Sequence, residues 1–222
     1  MLRPVLFLSL ILSAALLQAE STEVERVTQV IEAQGGSAAL YNRRGEANFR
    51  AGSIDSSIAD FDRAIRLEPR LAPQHWQRGI SLYYAGRFVD GYKQFELHQT
   101  VNPSDVENGV WHFLCRARAN GIEDARAHML PISGDPRVPM AQIWQLFQGK
   151  ATVEDVFRAA NTPGRGALED QLFYANLYVG LYYEALDQGH EASEYIGKAA
   201  KAPGATHYMG DVARVHARML GL

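Results

Sequence analysis

The chain repeats itself at an offset of 34 residues: Arg44, Gly45, Gly52, Phe61 and Pro69 recur as Arg78, Gly79, Gly86, Phe95 and Pro103. Self-similarity at such a period implies stacked copies of one small unit, because a single copy cannot bury its own apolar face. In the first copy Tyr41, Arg44, Gly45, Asn48 and Phe49 fall at three- and four-residue steps, the pattern of one helix face. Gly45 lets a second helix approach closely, and Gly52 stands where the first helix must stop and turn. Asp55 to Leu67 reads as the second helix, with Ile58, Phe61, Ala64 and Ile65 on one face. Pro69 then breaks that helix and opens the next copy. Gly79, Gly86, Phe95 and Pro103 take the same parts in the second copy, where Leu82, Tyr83 and Tyr84 add bulk. A third copy follows in Gly180, Tyr183, Ala192, Ile196 and Ala199, with spacings of 3, 9, 4 and 3. There Asp187 stands in the place of the turn glycine, and Gly189 is expected to serve the turn.

Between these copies the pattern stays helical but diverges. Ser104 and Glu107 read as a capping box for a helix running to Asn120 and ended by Gly121. Ile122 to Leu130 is a shorter helix stopped by Pro131. Ser133 to Arg137 is a turn cluster. Ala141 to Gly149 and Val153 to Ala160 are two further helices, the second capped by Thr152 with Asp155. Asn161 to Gly166 is a loop. Leu168 to Leu186 is a long helix, and Ala205 to Leu220 closes the series. At the front, Thr22 with Glu25 reads as the cap of a helix bearing Val24, Val27, Val30 and Ile31, ended at Gln34-Gly35-Gly36. No segment reads as a strand.

Residue type and spacing together resemble the tetratricopeptide repeat (TPR). The first copy supplies Tyr41, Gly45, Gly52, Phe61, Ala64 and Pro69, with Ser57 where alanine is usual. The second supplies Gly79, Gly86, Phe95 and Pro103, with His75, Gly91 and His98 at three departing positions. The resemblance implies an all-α fold, a right-handed superhelix of antiparallel helix pairs (an α-solenoid). It places repeats at about 38–71, 72–105 and 173–206, with divergent pairs over 106–170, in a single array over 20–222. The order of elements, with Tyr178 to Tyr183 and Ala192-Ser193, is similar to the NlpI-like TPR lipoproteins of bacteria. That likeness implies an envelope adaptor that docks peptidoglycan hydrolases and a periplasmic protease.

The residues ahead of the array carry an address. Val5 to Leu17 is an apolar run of 13 behind Met1-Leu2-Arg3-Pro4, the layout of a secretory signal peptide. Cleavage is expected after Ala19, with Ala15 as the alternative. The run is too short for a hydrocarbon core of ~30 Å, so no membrane span is expected after cleavage. A lipoprotein would need a cysteine just after the run, and none is there. The expected location is therefore the periplasm or the exterior, without a lipid anchor. Cys115 is the only cysteine. It is either buried and inert or pairs between molecules. A net charge of −3 argues against a nucleic-acid binder.

Catalytic chemistry has little to stand on. His190-Glu191-Ala192-Ser193-Glu194 opens like the zinc motif H-E-x-x-H but ends on Glu194. His98 and His112 read as helix-face histidines. Trp111, Phe113 and Leu114 around Cys115 keep its thiol inert. Gly164-Arg165-Gly166 lacks the lysine of a phosphate loop. The chain is read as non-enzymatic and without a cofactor. In TPR proteins the first helices line a concave groove. Carried over, its positions are Asn42, Glu46 and Phe49, then Trp76, Ile80 and Tyr83, then Leu177, Leu181 and Glu184. Arg43 lies beside the first set. The expected occupant is a protein or peptide, with Asn42, Arg43 and Glu46 as polar contacts and Phe49, Trp76, Ile80 and Tyr83 as apolar anchors; Trp76 and Tyr83 read equally well as packing between repeats. Self-association into a homodimer is a variant. The alternative is an enzyme or small-ligand binder using Trp144, Phe147, Arg137 and His128 in the divergent middle.

Overall fold

The computed structural model describes residue 18 and residues 21–132, 134–162 and 167–222. The expected leader, its cleavage positions and residues 163–166 of the glycine-rich loop lie outside these. Among the described residues every regular element is a helix and no strand occurs. No helix among them is long and apolar enough to cross a membrane. The chain divides into two compact units, one ending at Ala72 and one running from Pro73 to Leu222. The boundary falls between the first two 34-residue copies.

The first unit holds α1 (residues 21–34), α2 (Ala38–Arg50) and α3 (Ile54–Leu67). Thr22 does not cap α1: its hydroxyl donates back to the Gln18 carbonyl at 2.8 Å, so it lies inside the helix. Ser37 caps α2, its side chain accepting from the Leu40 amide at 3.2 Å. After α2 the chain turns at Gly52, whose φ of +80° is the left-handed region that glycine enters without cost. The turn folds α3 back so that the Phe61 ring covers Gly45. A Cβ on Gly45 would lie 2.8 Å from that ring, which explains why only glycine serves there. Arg44 clamps the Asp60 carboxylate through two bonds of 2.8 and 2.7 Å, and Asn48 donates to it at 3.0 Å. Such a bidentate, charge-assisted pair fixes the angle between helices better than a single contact does.

The second unit runs through α4 (Trp76–Tyr84), α5 (Phe88–Gln99), α6 (Val106–Asn120) and α7 (Ile122–Ala127). It continues with α8 (Met140–Phe147), α9 (Val153–Ala160), α10 (Leu168–Ala185), α11 (Gly189–Ala200) and α12 (Tyr208–Met219). Neighbours in sequence pack as neighbours in space, α4 with α5, α5 with α6, α10 with α11 and α11 with α12. The glycine contact of the first unit returns twice. A Cβ on Gly79 would lie 2.6 Å from the Phe95 ring, and one on Gly180 would lie 2.8 Å from Ile196. The turn after α4 uses Gly86 at φ +72°; the turn after α10 uses Asp187 itself at φ +58°. The expectation that Gly189 would serve that turn is corrected, since Gly189 is the first residue of α11. Aspartate visits this region more readily than most side chains because its short polar group bonds locally.

Several boundaries move, among them that of α8, which spans Met140–Phe147 instead of Ala141 to Gly149. The cap of α6 is Asp105 and not Ser104, its carboxylate accepting from the Glu107 amide at 3.1 Å. Helix α7 ends at Ala127, where the His128 ring meets the Asp124 carbonyl at 2.9 Å. Helix α12 begins at Tyr208, three residues later than the pattern suggested. The caps of α9 are as expected: Thr152 and Asp155 form a reciprocal capping box. Cys115 is fully buried on α6, and burial pushes its thiol well up.

Candidate functional site

On α2 the expected contact residues separate by accessibility. Arg43 is exposed and Asn42 and Glu46 are half-buried, whereas Phe49 is fully buried. Asn42 donates to Glu46 at 3.5 Å, and Arg43 pairs with Glu23 of α1 at 2.8 Å. Phe49 is therefore corrected from a surface anchor to a core residue. Its place at a three- to four-residue step marks a helix face, and here that face is the covered one.

On α4 Trp76 is half-buried, Ile80 is fully buried and Tyr83 is 7% exposed. Tyr83 packs edge-on against Trp111, Tyr84 and Phe88 at 5.4 to 5.6 Å between centroids. Burial pushes its phenol far up. Ile80 and Tyr83 are thus also corrected to core positions. Leu177 and Leu181 of α10 are fully buried as well. Helix α12 also reaches this side of the unit. Its Tyr208 meets Trp76 edge-on at 5.0 Å, and its His216 bonds Tyr84 at 2.9 Å and lies 2.8 Å from Glu184. Burial alone would raise the Glu184 carboxyl, but His216, with Arg118 and Tyr83, outweighs it and holds the group below its ordinary value.

A cavity of about 160 Å³ remains between α4, α5, α6 and α12. Trp76, Phe95 and Trp111 line it from the aromatic side, with Ile80 and with Met209 of α12. Asp105, Glu107 and Asn108, from the first turn of α6, line it from the polar side. Arg137 gathers the carboxylates there. It reaches Asp105 at 2.6 Å, bonds Glu107, and forks onto Asp135 at 3.0 and 2.7 Å. Tyr178 donates to the other oxygen of Glu107. Burial raises the Glu107 carboxyl against the pull of Arg137. Asp135 is held low in spite of its burial by Arg137 and by the Val106 amide.

The residues of the divergent middle do not converge on one pocket. Trp144 and Phe147 are buried, with Phe147 packed on Phe113 at 5.2 Å and Tyr182 at 5.4 Å. His128 pairs with Asp124 at 3.1 Å, and Arg137 serves the carboxylates. His98 meets the Pro73 carbonyl at 2.9 Å and His112 meets Glu96 at 3.3 Å. Among the described residues no group of three or more His, Cys, Asp or Glu side chains is placed to hold a metal ion. The polar side of the cavity was missed from sequence. Asp105, Glu107 and Asn108 within four residues and one turn before Trp111 were the available signal, and capping accounted for it first. The chain matches none of the protein-family models against which it was compared.

Proposed function

We propose that the chain is an exported, non-enzymatic helical-repeat adaptor of the tetratricopeptide kind, one that assembles other proteins of the bacterial cell envelope. One observation supports this reading above others. Three helix pairs repeat the same contact, a glycine of the first helix beneath a large side chain sixteen residues on: Gly45 with Phe61, Gly79 with Phe95, Gly180 with Ile196. A superhelix of such pairs is an arrangement this register fits, and it serves proteins that bind along an extended face. The accessible candidates are Asn42, Arg43 and Glu46 within the first unit and, taken separately, Trp76 within the second. Arg43 and Asn42 suit the backbone of an extended peptide; Trp76 suits an apolar side chain. The resemblance to NlpI-like proteins brings peptidoglycan hydrolases and a periplasmic protease as the partner class.

Photo-cross-linking in intact envelopes tests the reading. A photoreactive residue replacing Arg43 is expected to give a discrete protein adduct that is absent when the same group replaces Arg66, an exposed residue of α3. No adduct at Arg43 beyond that at Arg66 overturns it.

A further inference from the structure

We infer that the cleft between α8 and α9 receives a carboxylate that stands next to an amide, the group shared by an N-acyl amino acid and the free C-terminal end of a peptide. This goes beyond the adaptor reading and does not depend on it, since the cleft lies wholly within the second unit and shares no residue with the surface which that reading uses.

Local sequence builds the cleft. Helix α8 gives way to Gly149, whose φ of +73° lets the chain reverse, and the Lys150 amide closes the turn on the Gln145 carbonyl at 2.8 Å. Lys150 is thereby fixed in the short connection that joins α8 to α9. On the other side the capping box of α9 ties Asp155 to Thr152, and Asp155 holds Nη1 of Arg158 at 2.6 Å. The space between the two helices is about 490 Å³, within the usual size of ligand clefts. It is open to solvent: Gln145, Lys150, Arg158 and Thr162 are exposed and Gln142 is half-buried.

The lining then selects the chemistry. Only Ala151 and Ala159 bring apolar side chains, so an apolar ligand gains little there. Lys150 and Arg158 set two positive charges against the one carboxylate of Asp155, which Thr152 and Arg158 already engage. An anion is therefore favoured. The Lys150 ammonium meets no acceptor among the described residues. Arg158 spends only Nη1 on Asp155, which leaves the edge formed by Nε–H and Nη2–H, two parallel donors that match a planar carboxylate. The side-chain amides of Gln142 and Gln145 make no hydrogen bond among the described residues, and each offers both donors and an acceptor. Thr162 gives its hydroxyl proton to the Arg158 carbonyl at 3.1 Å, so its oxygen remains as an acceptor. A bare anion would use the two cations alone, and a neutral amide would use the glutamines and the threonine alone. A carboxylate beside an amide uses both sets.

An NMR titration of the isotope-labelled chain tests this, with N-acetylalanine as the probe. Saturable shifts of the Gln142 and Gln145 side-chain amides, with a Kd of about 5 mM or tighter, are expected. Acetate, which lacks the amide, and N-acetylalaninamide, which lacks the charge, should each bind at least about fivefold more weakly. Lys150→Gln and Arg158→Gln should each weaken N-acetylalanine about fivefold or more. Both side chains are exposed, and thermal melts confirm that the variants are folded. Lys93→Gln, which removes an exposed charge from α5, should leave the Kd unchanged. The absence of saturable shifts, acetate or N-acetylalaninamide binding as tightly as the probe, an unchanged Kd in both cleft variants, or an equal loss in Lys93→Gln overturns the proposal. A second arm separates the sources of the carboxylate. An acetyl-Gly-Ser-Gly-Ala peptide with a free carboxyl end that binds more tightly than N-acetylalanine assigns it to the end of a polypeptide; one that binds no more tightly assigns it to a free small acid.

Discussion

Gly79 and Gly189 are both helical glycines, yet their surroundings differ sharply. A Cβ on Gly79 would sit 2.6 Å from the Phe95 ring, while nothing lies within 4 Å of one on Gly189. Gly79→Ala is expected to cost about 1–3 kcal/mol through overpacking. Gly189→Ala is expected to stabilise by up to about 1 kcal/mol, because alanine narrows the unfolded ensemble and favours the helix. Urea unfolding midpoints of the two variants should therefore move in opposite directions, and a common direction would contradict the packing described. Gly79 was legible in the sequence because the repeat pairs it with Phe95 at a fixed offset. Phe49 and Ile80 were not legible as core, and for Tyr83 the sequence left core and groove open. Spacing identifies a face, but it does not say whether that face is covered.

At the scale of elements, α9 carries its own instructions. Thr152 and Asp155 satisfy the open amides of its first turn reciprocally. Thr152→Ala should cost about 0.5–2 kcal/mol, read as a lower urea midpoint, whereas Ser at the same position should retain most of the stability. This helix was predicted to the residue because its ends are decided locally. The start of α6 was not, because Ser104 and Asp105 compete for the cap. Asp105 is held by Arg137, 32 positions away, a partner that no local pattern contains. The end of α7 shifted for a local reason, the His128 side chain meeting the Asp124 carbonyl four residues back.

For the whole molecule, acid is the informative variable. Burial lowers His112 below the ordinary histidine value against the opposing pull of Glu96, and burial lowers His207 against Asp170 and Asp211. The unfolded chain takes these protons first, near pH 6.5. Stability from both groups is therefore full above about pH 6.5 and falls as pH drops towards their folded values. Glu184, also held low, adds a further loss that begins near pH 4.3. Glu107 acts in the opposite sense, because burial makes the folded chain take that proton first. The test is therefore a comparison: from pH 7.5 to pH 5 at constant ionic strength, His112→Asn should lose less melting temperature than the parent chain, and an equal loss would contradict the burial of the His112 ring. The repeat order was readable at this scale, while the division at Ala72 and the placing of α12 were not, since both depend on packing and not on period. That placing also sets a tempo. Most contacts in the second unit join helices next to each other in sequence and can form early. The Tyr84–His216 bond joins residues 132 positions apart, and closing so long a loop is entropically costly and slow. A chain emerging from a ribosome must leave the side of α4 that bears Tyr84 without its α12 partners until residue 216 has arrived. For that interval Trp76 lacks Tyr208 and Tyr84 lacks His216, so aromatic surface that the finished molecule covers is open to wrong partners.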